Sequence, residues 1–122
     1  MLDQSAPRTG FAASHPRPEL PTLIRGHDVE AFETVEELAT RILELRGGRG
    51  LQAIESYCSH GGCDTFLASQ LIVANRFGDT EWLGAAAIPD ASVEGGFAPP
   101  SRLLAALETA KRQRRQQSRI AA

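Results

Sequence analysis

The sequence predicts a small α+β domain: an antiparallel sheet of about four strands in two hairpins, with two or three helices on one face and a basic C-terminal helix. Two pairs of apolar segments, each joined by a turn rich in Gly, Asn or Asp, predict the hairpins. A capping-box motif followed by apolar residues at helical spacing predicts one helix. A final segment, apolar for two turns and then strongly basic, predicts another.

The 122 residues are suited to one domain, which we divide into three segments. Residues 1–21 form a Pro-rich arm without helical or strand periodicity, which predicts a flexible segment. Residues 22–110 form a single α+β domain, and residues 111–122 form a basic C-terminal tail.

The first hairpin is predicted at residues 22–32. Residues 22–25 (TLIR) read as a short strand, and residues 28–31 alternate between charged and apolar side chains, a pattern that Phe32 weakens. Gly26 and His27 between them form a two-residue turn, in which glycine suits the first position of a type II′ turn.

The first helix is predicted at residues 35–46. Thr34 and Glu37 have the spacing of a capping box, and Gly47 follows the last helical residue, where a left-handed conformation commonly ends a helix. One apolar stripe links the two ends, formed by Val35, Leu38, Ala39, Ile42 and Leu45.

A second, short helix is predicted at residues 50–58, because Leu51, Ile54, Tyr57 and Cys58 recur at helical spacing. Residues 59–62 (SHGG) are predicted to form a loop.

The second hairpin is predicted from residues 65–74 and 81–88, with turn-forming residues at 75–80. Residues 65–74 are nearly continuously apolar, which indicates a central strand covered on both faces. Pro89 ends the second strand. Trp82, the single tryptophan, is predicted to lie in the core.

The last helix follows Pro99 and Pro100, with Ser101 as its predicted N-cap. Leu103, Leu104, Leu107 and Ala110 give it an apolar face for two turns, which ends at Lys111.

Charge is distributed unevenly along the chain. Residues 1–100 contain seven arginines and 14 acidic residues, a formal charge of −7, whereas residues 101–122 contain six basic residues and one acid, a formal charge of +5. A cationic segment on an acidic body favours contact with an anionic partner. Three interpretations of this basic segment remain open. It can contact phosphates, it can dock onto an acidic protein surface such as that of another copy, or it can be a solvated helix end.

The candidate binding residues lie in two places. Arg76 and Phe77 lie at the predicted hairpin turn, where an aromatic side chain has little to pack against. In the tail, Arg112, Arg115 and Arg119 recur at spacings of three and four and therefore share one helix face. Tail candidates are Lys111, Arg112, Arg114, Arg115 and Arg119.

Cys58, His60 and Cys63 are the side chains closest to a metal or thiol motif. A structural zinc site needs a fourth ligand, which would have to be His15, His27 or a carboxylate such as Asp64. We therefore expect no bound metal, no cofactor and no catalytic residue, with a Cys–His thiol site as the less favoured interpretation.

The sequence thus predicts a non-catalytic binding protein that contacts a nucleic acid or a protein complex that handles nucleic acid. Regulators, accessory proteins and inhibitors encoded by phages or other mobile elements have this size and composition. The alternatives are a small metalloprotein or thiol enzyme built on the Cys/His segment, and a structural subunit of a homo-oligomer such as a homodimer. No apolar run is long enough to span a membrane, and residues 1–10 lack a secretory signal, so we expect no membrane partner and a cytoplasmic location.

Overall fold

The computed structural model describes residues 17–60 and 64–121 and confirms the α+β class. It contains five strands and two helices, so the predicted number of about four strands is one too low. In chain order the elements are β1 (Thr22–Arg25), β2 (Asp28–Ala31), α1 (Val35–Arg46), β3 (Gly50–His60), β4 (Asp64–Ala74), β5 (Thr80–Ala87) and α2 (Pro100–Ala121).

The strands form one antiparallel sheet in the order β2-β1-β5-β4-β3. β1 pairs with β5, which joins the N-terminal hairpin to the meander of β3, β4 and β5. β4 lies between β3 and β5, as its apolar sequence predicts, and β2 and β3 are the edge strands.

The prediction of a short helix at residues 50–58 is wrong, because these residues belong to β3. The strand pairs with β4 without a register shift, from Gly50 opposite Ala74 to His60 opposite Asp64. At an edge, side chains on both faces of a strand reach solvent, and Ile54 and Tyr57 are both exposed on β3. The period of two is therefore obscured in the sequence. Of the predicted loop 59–62, the first two residues belong to β3, and the glycines lie outside the described residues.

The first hairpin and the first helix are confirmed. Arg25 pairs with Asp28 across Gly26, which has a φ of 66°, as the first position of a type II′ turn requires. The capping box of α1 is complete: Thr34 Oγ1 accepts from the Glu37 N–H at 3.1 Å, and Glu37 Oε1 accepts from the Thr34 N–H at 3.2 Å.

Both helices pack on one face of the sheet. Leu38 and Ile42 of α1 and Leu103 of α2 are fully buried there, in one cluster with Leu71 and Val73 of β4. The opposite face has a smaller cluster that includes Ile24, Phe66, Ala68, Ala85 and Ala87, covered by Phe97 from the segment that precedes α2.

α2 begins at Pro100, so Ser101 lies inside the helix and is not its cap. Proline suits the first helical position because its missing N–H would have no partner in the helix. The helix continues to Ala121, so the predicted start of the basic tail, residue 111, lies within one continuous helix.

Candidate functional site

A groove lies between the C-terminal end of α1 and the basic half of α2. Its volume is about 260 Å³. The residues that line it include four basic side chains and no acidic one: Leu43, Arg46, Gly48, Lys111, Arg114 and Arg115. We call it the basic groove.

The basic groove forms because α2 continues past the sheet core on the same helical face. Leu103, Leu107 and Ala110 are buried against α1 and the sheet. Lys111 and Arg115 follow Leu107 at spacings of four and eight, so they extend the face that the apolar residues begin. Past the core, that face meets the last turn of α1.

Gly47 turns the chain away from the end of α1. It has a φ of 57°, in the left-handed region, and its N–H donates to the Leu43 carbonyl at 3.3 Å. Gly48 also has a positive φ, 87°, and lines the basic groove. Two residues without side chains leave the space beside α1 open to Arg114 and Arg115.

Arg46, which the sequence analysis did not single out, lines the groove. One of its terminal nitrogens donates to the Arg49 carbonyl at 2.7 Å. Its Nε is the one buried side-chain nitrogen or oxygen without a hydrogen-bond partner among the described residues. A basic residue in the last turn of a helix is common because it interacts favourably with the helix dipole, so the sequence offered no distinct signal for this role.

The charges around the groove act on Glu108. Its carboxylate lies 3.0 Å from Lys111 Nζ. The hydrogen bond and the charge of Lys111, assisted by the charges of Arg112 and Arg115, lower the pKa of Glu108. Glu108 therefore stays ionised and partly neutralises Lys111, which leaves Arg46, Arg114 and Arg115 as the dominant charges of the groove.

The structure changes the predicted grouping of tail residues. Arg115 lines the basic groove, and so does Arg114, which is not one of the three residues that the spacing placed on one face. Arg112 is exposed outside the groove, where it donates to Thr109 Oγ1 at 3.3 Å. The side chain of Arg119 lies outside the described part of the structure.

The β4–β5 turn presents Phe77 with 76% of its surface exposed. The turn is ordered by Asn75, whose Oδ1 accepts from the Phe77 N–H at 2.8 Å and from the Asp79 N–H at 3.1 Å. The guanidinium carbon of Arg76 lies 5.1 Å from the centre of the Phe77 ring. We call Arg76 and Phe77 the hairpin tip.

Sheet pairing places the hairpin tip and the basic groove at the same end of the domain. Gly50, at the start of β3, pairs with Ala74, the residue before the turn. Gly48, two residues before Gly50, lines the groove. Between them, Arg49 forms an ion pair of 2.7 Å with Glu81 of β5, which holds the α1–β3 connection beside the hairpin.

The Cys/His segment is described only in part. Cys58 is partly buried, and burial raises the pKa of its thiol, which disfavours the thiolate that a nucleophile needs. The side chain of His60 and all of Cys63 lie outside the described residues. Within the described ranges, no three His, Cys, Asp or Glu side chains are grouped closely enough to bind a metal ion.

Trp82 does not lie in the core, contrary to the sequence prediction. It is 51% exposed, and its Nε1 donates to Gln70 Oε1 at 2.7 Å. The neighbouring Leu83 is buried on the helix-covered face, so Trp82 points to the opposite face of the sheet. The exposure of Trp82 shows that solvent reaches this part of the opposite face.

Comparison with family models, with curated proteins and with solved structures finds no match to this chain. In the described part of the chain, neither helix combines the length and the apolar character needed to cross a membrane. The basic groove and the hairpin tip are therefore the features from which a function can be inferred.

Proposed function

We propose that this chain is a non-catalytic binding protein that contacts the phosphates of a nucleic acid through the basic groove. The observation behind the proposal is the convergence of Arg46, Arg114 and Arg115 in a groove lined by no acid. Arginine binds phosphate oxygens through paired, charge-assisted hydrogen bonds, and several such contacts along a backbone produce salt-dependent affinity.

The buried Nε of Arg46 supports an anionic ligand at this position. A buried polar N–H without a partner costs free energy, and a phosphate oxygen would supply the missing acceptor. A water molecule can also accept this hydrogen bond. The positive charge of the neighbouring Arg114 and Arg115 side chains is what favours an anionic ligand over water.

The hairpin tip extends the proposed contact to a base. An exposed aromatic side chain on an ordered turn loses little conformational freedom when it stacks on a base. Phe77 lies at the groove end of the sheet, so one ligand strand can place a phosphate in the groove and a base against the ring. Arg76 adds a further cation beside it.

The proposal includes a cytoplasmic location and a role as a regulator, accessory protein or inhibitor of the kind that phages and other mobile elements encode. Its support is the positive charge of the basic groove and the exposed aromatic side chain of the hairpin tip. A protein complex that handles nucleic acid is the alternative partner.

The direct test is fluorescence anisotropy with labelled single-stranded and duplex oligonucleotides at several salt concentrations. Wild-type protein should bind, and affinity should fall steeply as salt rises. Arg114→Ala/Arg115→Ala should weaken binding about 10-fold or more and reduce the log–log salt slope by roughly 0.7–0.9 for each lost phosphate contact.

Arg102→Ala is the matched control, because Arg102 is an exposed arginine on the first half of the same helix. It should leave affinity nearly unchanged, and circular dichroism should show that all variants are folded. No binding by the wild type at low salt, or equal binding by the double variant, would contradict the proposal. Capture of a host protein complex that survives nuclease, without oligonucleotide binding, would assign the groove to an acidic protein surface instead.

A further inference from the structure

β3 is a long edge strand without the usual protection. It has eleven residues, and β4 pairs with only one of its sides. Natural edge strands are commonly blocked by proline, lysine or a bulge. β3 has no proline or lysine, keeps a continuous register with β4, and has one residue that is charged at neutral pH among Asp, Glu, Lys and Arg, namely Glu55. None of the described residues pairs with its outer side, so its outer backbone groups are open to another strand.

Exposed apolar side chains lie on both faces of this edge. Leu51 and Ala53 pack against the helix-side core, and the alternation of the strand places Tyr57 on the same face of β3 and Ile54 on the other. Farther along the strand this face borders the Phe97 segment, and Tyr57 lines a small pocket there with Phe97. Tyr57 is 66% exposed and Ile54 is 42% exposed. The edge strand therefore presents one exposed apolar or aromatic side chain on each of its faces.

A second pocket lies on the helix side of β3, beneath α2. Its volume is about 370 Å³, and it adjoins the basic groove, with which it shares Leu43, Arg46 and Lys111. Leu51, Leu104 and Leu107 supply most of its apolar lining, and Glu108 and Lys111 supply polar groups. We call it the edge pocket.

We propose that β3 pairs antiparallel with β3 of a second copy, with Ile54 opposite Ile54, and that each Tyr57 enters the edge pocket of the other copy. A two-fold axis normal to the sheet makes the strands antiparallel and keeps both helix layers on the same side. In an antiparallel pair, residues directly opposite one another point to the same face of the sheet. The odd-numbered residues of β3 share one face in both copies, so an odd-numbered residue must lie opposite another odd-numbered residue, and an even-numbered residue opposite an even-numbered one.

The edge pocket selects among these registers. Leu51 lies in β3 and lines the pocket, so the side chain that fills the pocket must lie opposite Leu51. Tyr57 is the exposed aromatic residue on the same face, and it lies opposite Leu51 only when the axis passes through Ile54. Directly opposite side chains have their Cβ atoms about 4.5–5.5 Å apart, close enough for the ring to reach the leucines.

Charge and area agree with this register. Glu55 lies opposite Ala53, so the two glutamates are diagonal and not direct neighbours, and each lies on the face that carries the Arg46 and Lys111 lining of the edge pocket. A tyrosine buries about 150–250 Å² in a core. Two tyrosines, two Leu104 side chains and the paired strands would all contribute to the roughly 1,200–2,000 Å² that a stable interface buries.

The first test is the mass in solution, measured by sedimentation equilibrium across a concentration series. The wild type should approach twice its 13.1 kDa chain mass. Ile54→Lys and Tyr57→Ser should each raise the dimer dissociation constant by roughly 30-fold or more, the effect of a central contact. Val29→Lys is the matched control, because Val29 is an exposed apolar residue on β2, the other edge strand.

A monomeric wild type at the highest concentration, or a dimer that Val29→Lys disrupts and Ile54→Lys does not, would overturn the proposal. The second test measures the register by oxidative cross-linking in a Cys58→Ala/Cys63→Ala background. Ile54→Cys should form a disulfide-linked dimer, and Gln52→Cys should not, since residue 52 faces residue 56 of the other copy. Preferential cross-linking through residue 52 would reject this register.

Discussion

The guanidinium group of Arg17 lies over the ring of Phe97, with its central carbon 4.7 Å from the ring centre. Its terminal nitrogens donate to the Thr65 carbonyl at 2.9 Å and to the Gly95 carbonyl at 2.7 Å. The Phe97 ring packs in turn on Phe66 of β4, with ring centres 5.6 Å apart. One side chain thus connects the segment before β1 to β4 and to the loop before α2.

We expect Arg17→Ala to lower the free energy of unfolding by about 1–2 kcal/mol, because two hydrogen bonds from a charged donor and one cation–π contact are lost. Urea denaturation followed by circular dichroism measures the change. Arg102→Ala, which removes only an ion pair of 4.0 Å with Glu36, should change stability little. Equal effects of the two substitutions would show that Arg17 is not structural.

Gly84 allows a close approach between β5 and β1. A Cβ at this position would lie 2.9 Å from the Ile24 carbonyl oxygen and 2.9 Å from Arg25 Cγ, and the residue has a φ of 155°. Gly84→Ala should therefore destabilise the fold by about 1–3 kcal/mol. Gly50→Ala is the control, since its Cβ would lie 3.7 Å from the Ala74 carbonyl oxygen, an ordinary contact. Thermal unfolding of both variants provides the comparison, and a neutral Gly84→Ala would contradict this account.

The packing and capping of α1 should have separable effects. Ile42 is fully buried in the helix-side core, so Ile42→Ala should cost about 2–5 kcal/mol of stability. Thr34→Ala removes the N-cap acceptor and should cost about 1 kcal/mol. Denaturant titration distinguishes the two, and a Thr34→Ala effect as large as that of Ile42→Ala would mean that the cap does more than end the helix.

The raised pKa of Cys58 predicts slow thiol alkylation. Burial disfavours the thiolate, so the thiolate fraction at neutral pH should be below that of a free thiol with the ordinary value of 9.0. The alkylation rate of the Cys63→Ser variant should rise to half its maximum above that pH. A half-maximum below it would indicate an activated thiol and revive the thiol-enzyme interpretation.

Local signals in the sequence predict the elements whose partners are near in the chain. The capping box of α1 and the Gly26 turn each satisfy backbone groups within a few residues, and the structure confirms both. The same holds for the hairpin of β4 and β5, which the Asn75 turn closes.

β3 was assigned incorrectly because its structure depends on distant residues and on its place in the sheet. The spacing of Leu51, Ile54 and Tyr57 fits a helix, and only pairing with β4 decides between helix and strand. The β-bulge after Leu71 and the exposed position of Trp82 likewise depend on how β5 meets β4. The spacing of apolar residues in the sequence does not show whether other elements will cover a given face of a strand.

By itself, the sequence determined the α+β class, the capped helix, both hairpins and the uneven distribution of charge. The tertiary structure decided which basic residues converge, since Arg46 and Arg115 are far apart in the chain and become neighbours only when α2 packs along α1. It also decided that β3 lies at an edge beside the edge pocket. Hydrogen bonds between residues a few positions apart can be predicted from local spacing, whereas grooves and edges form only after distant segments have packed.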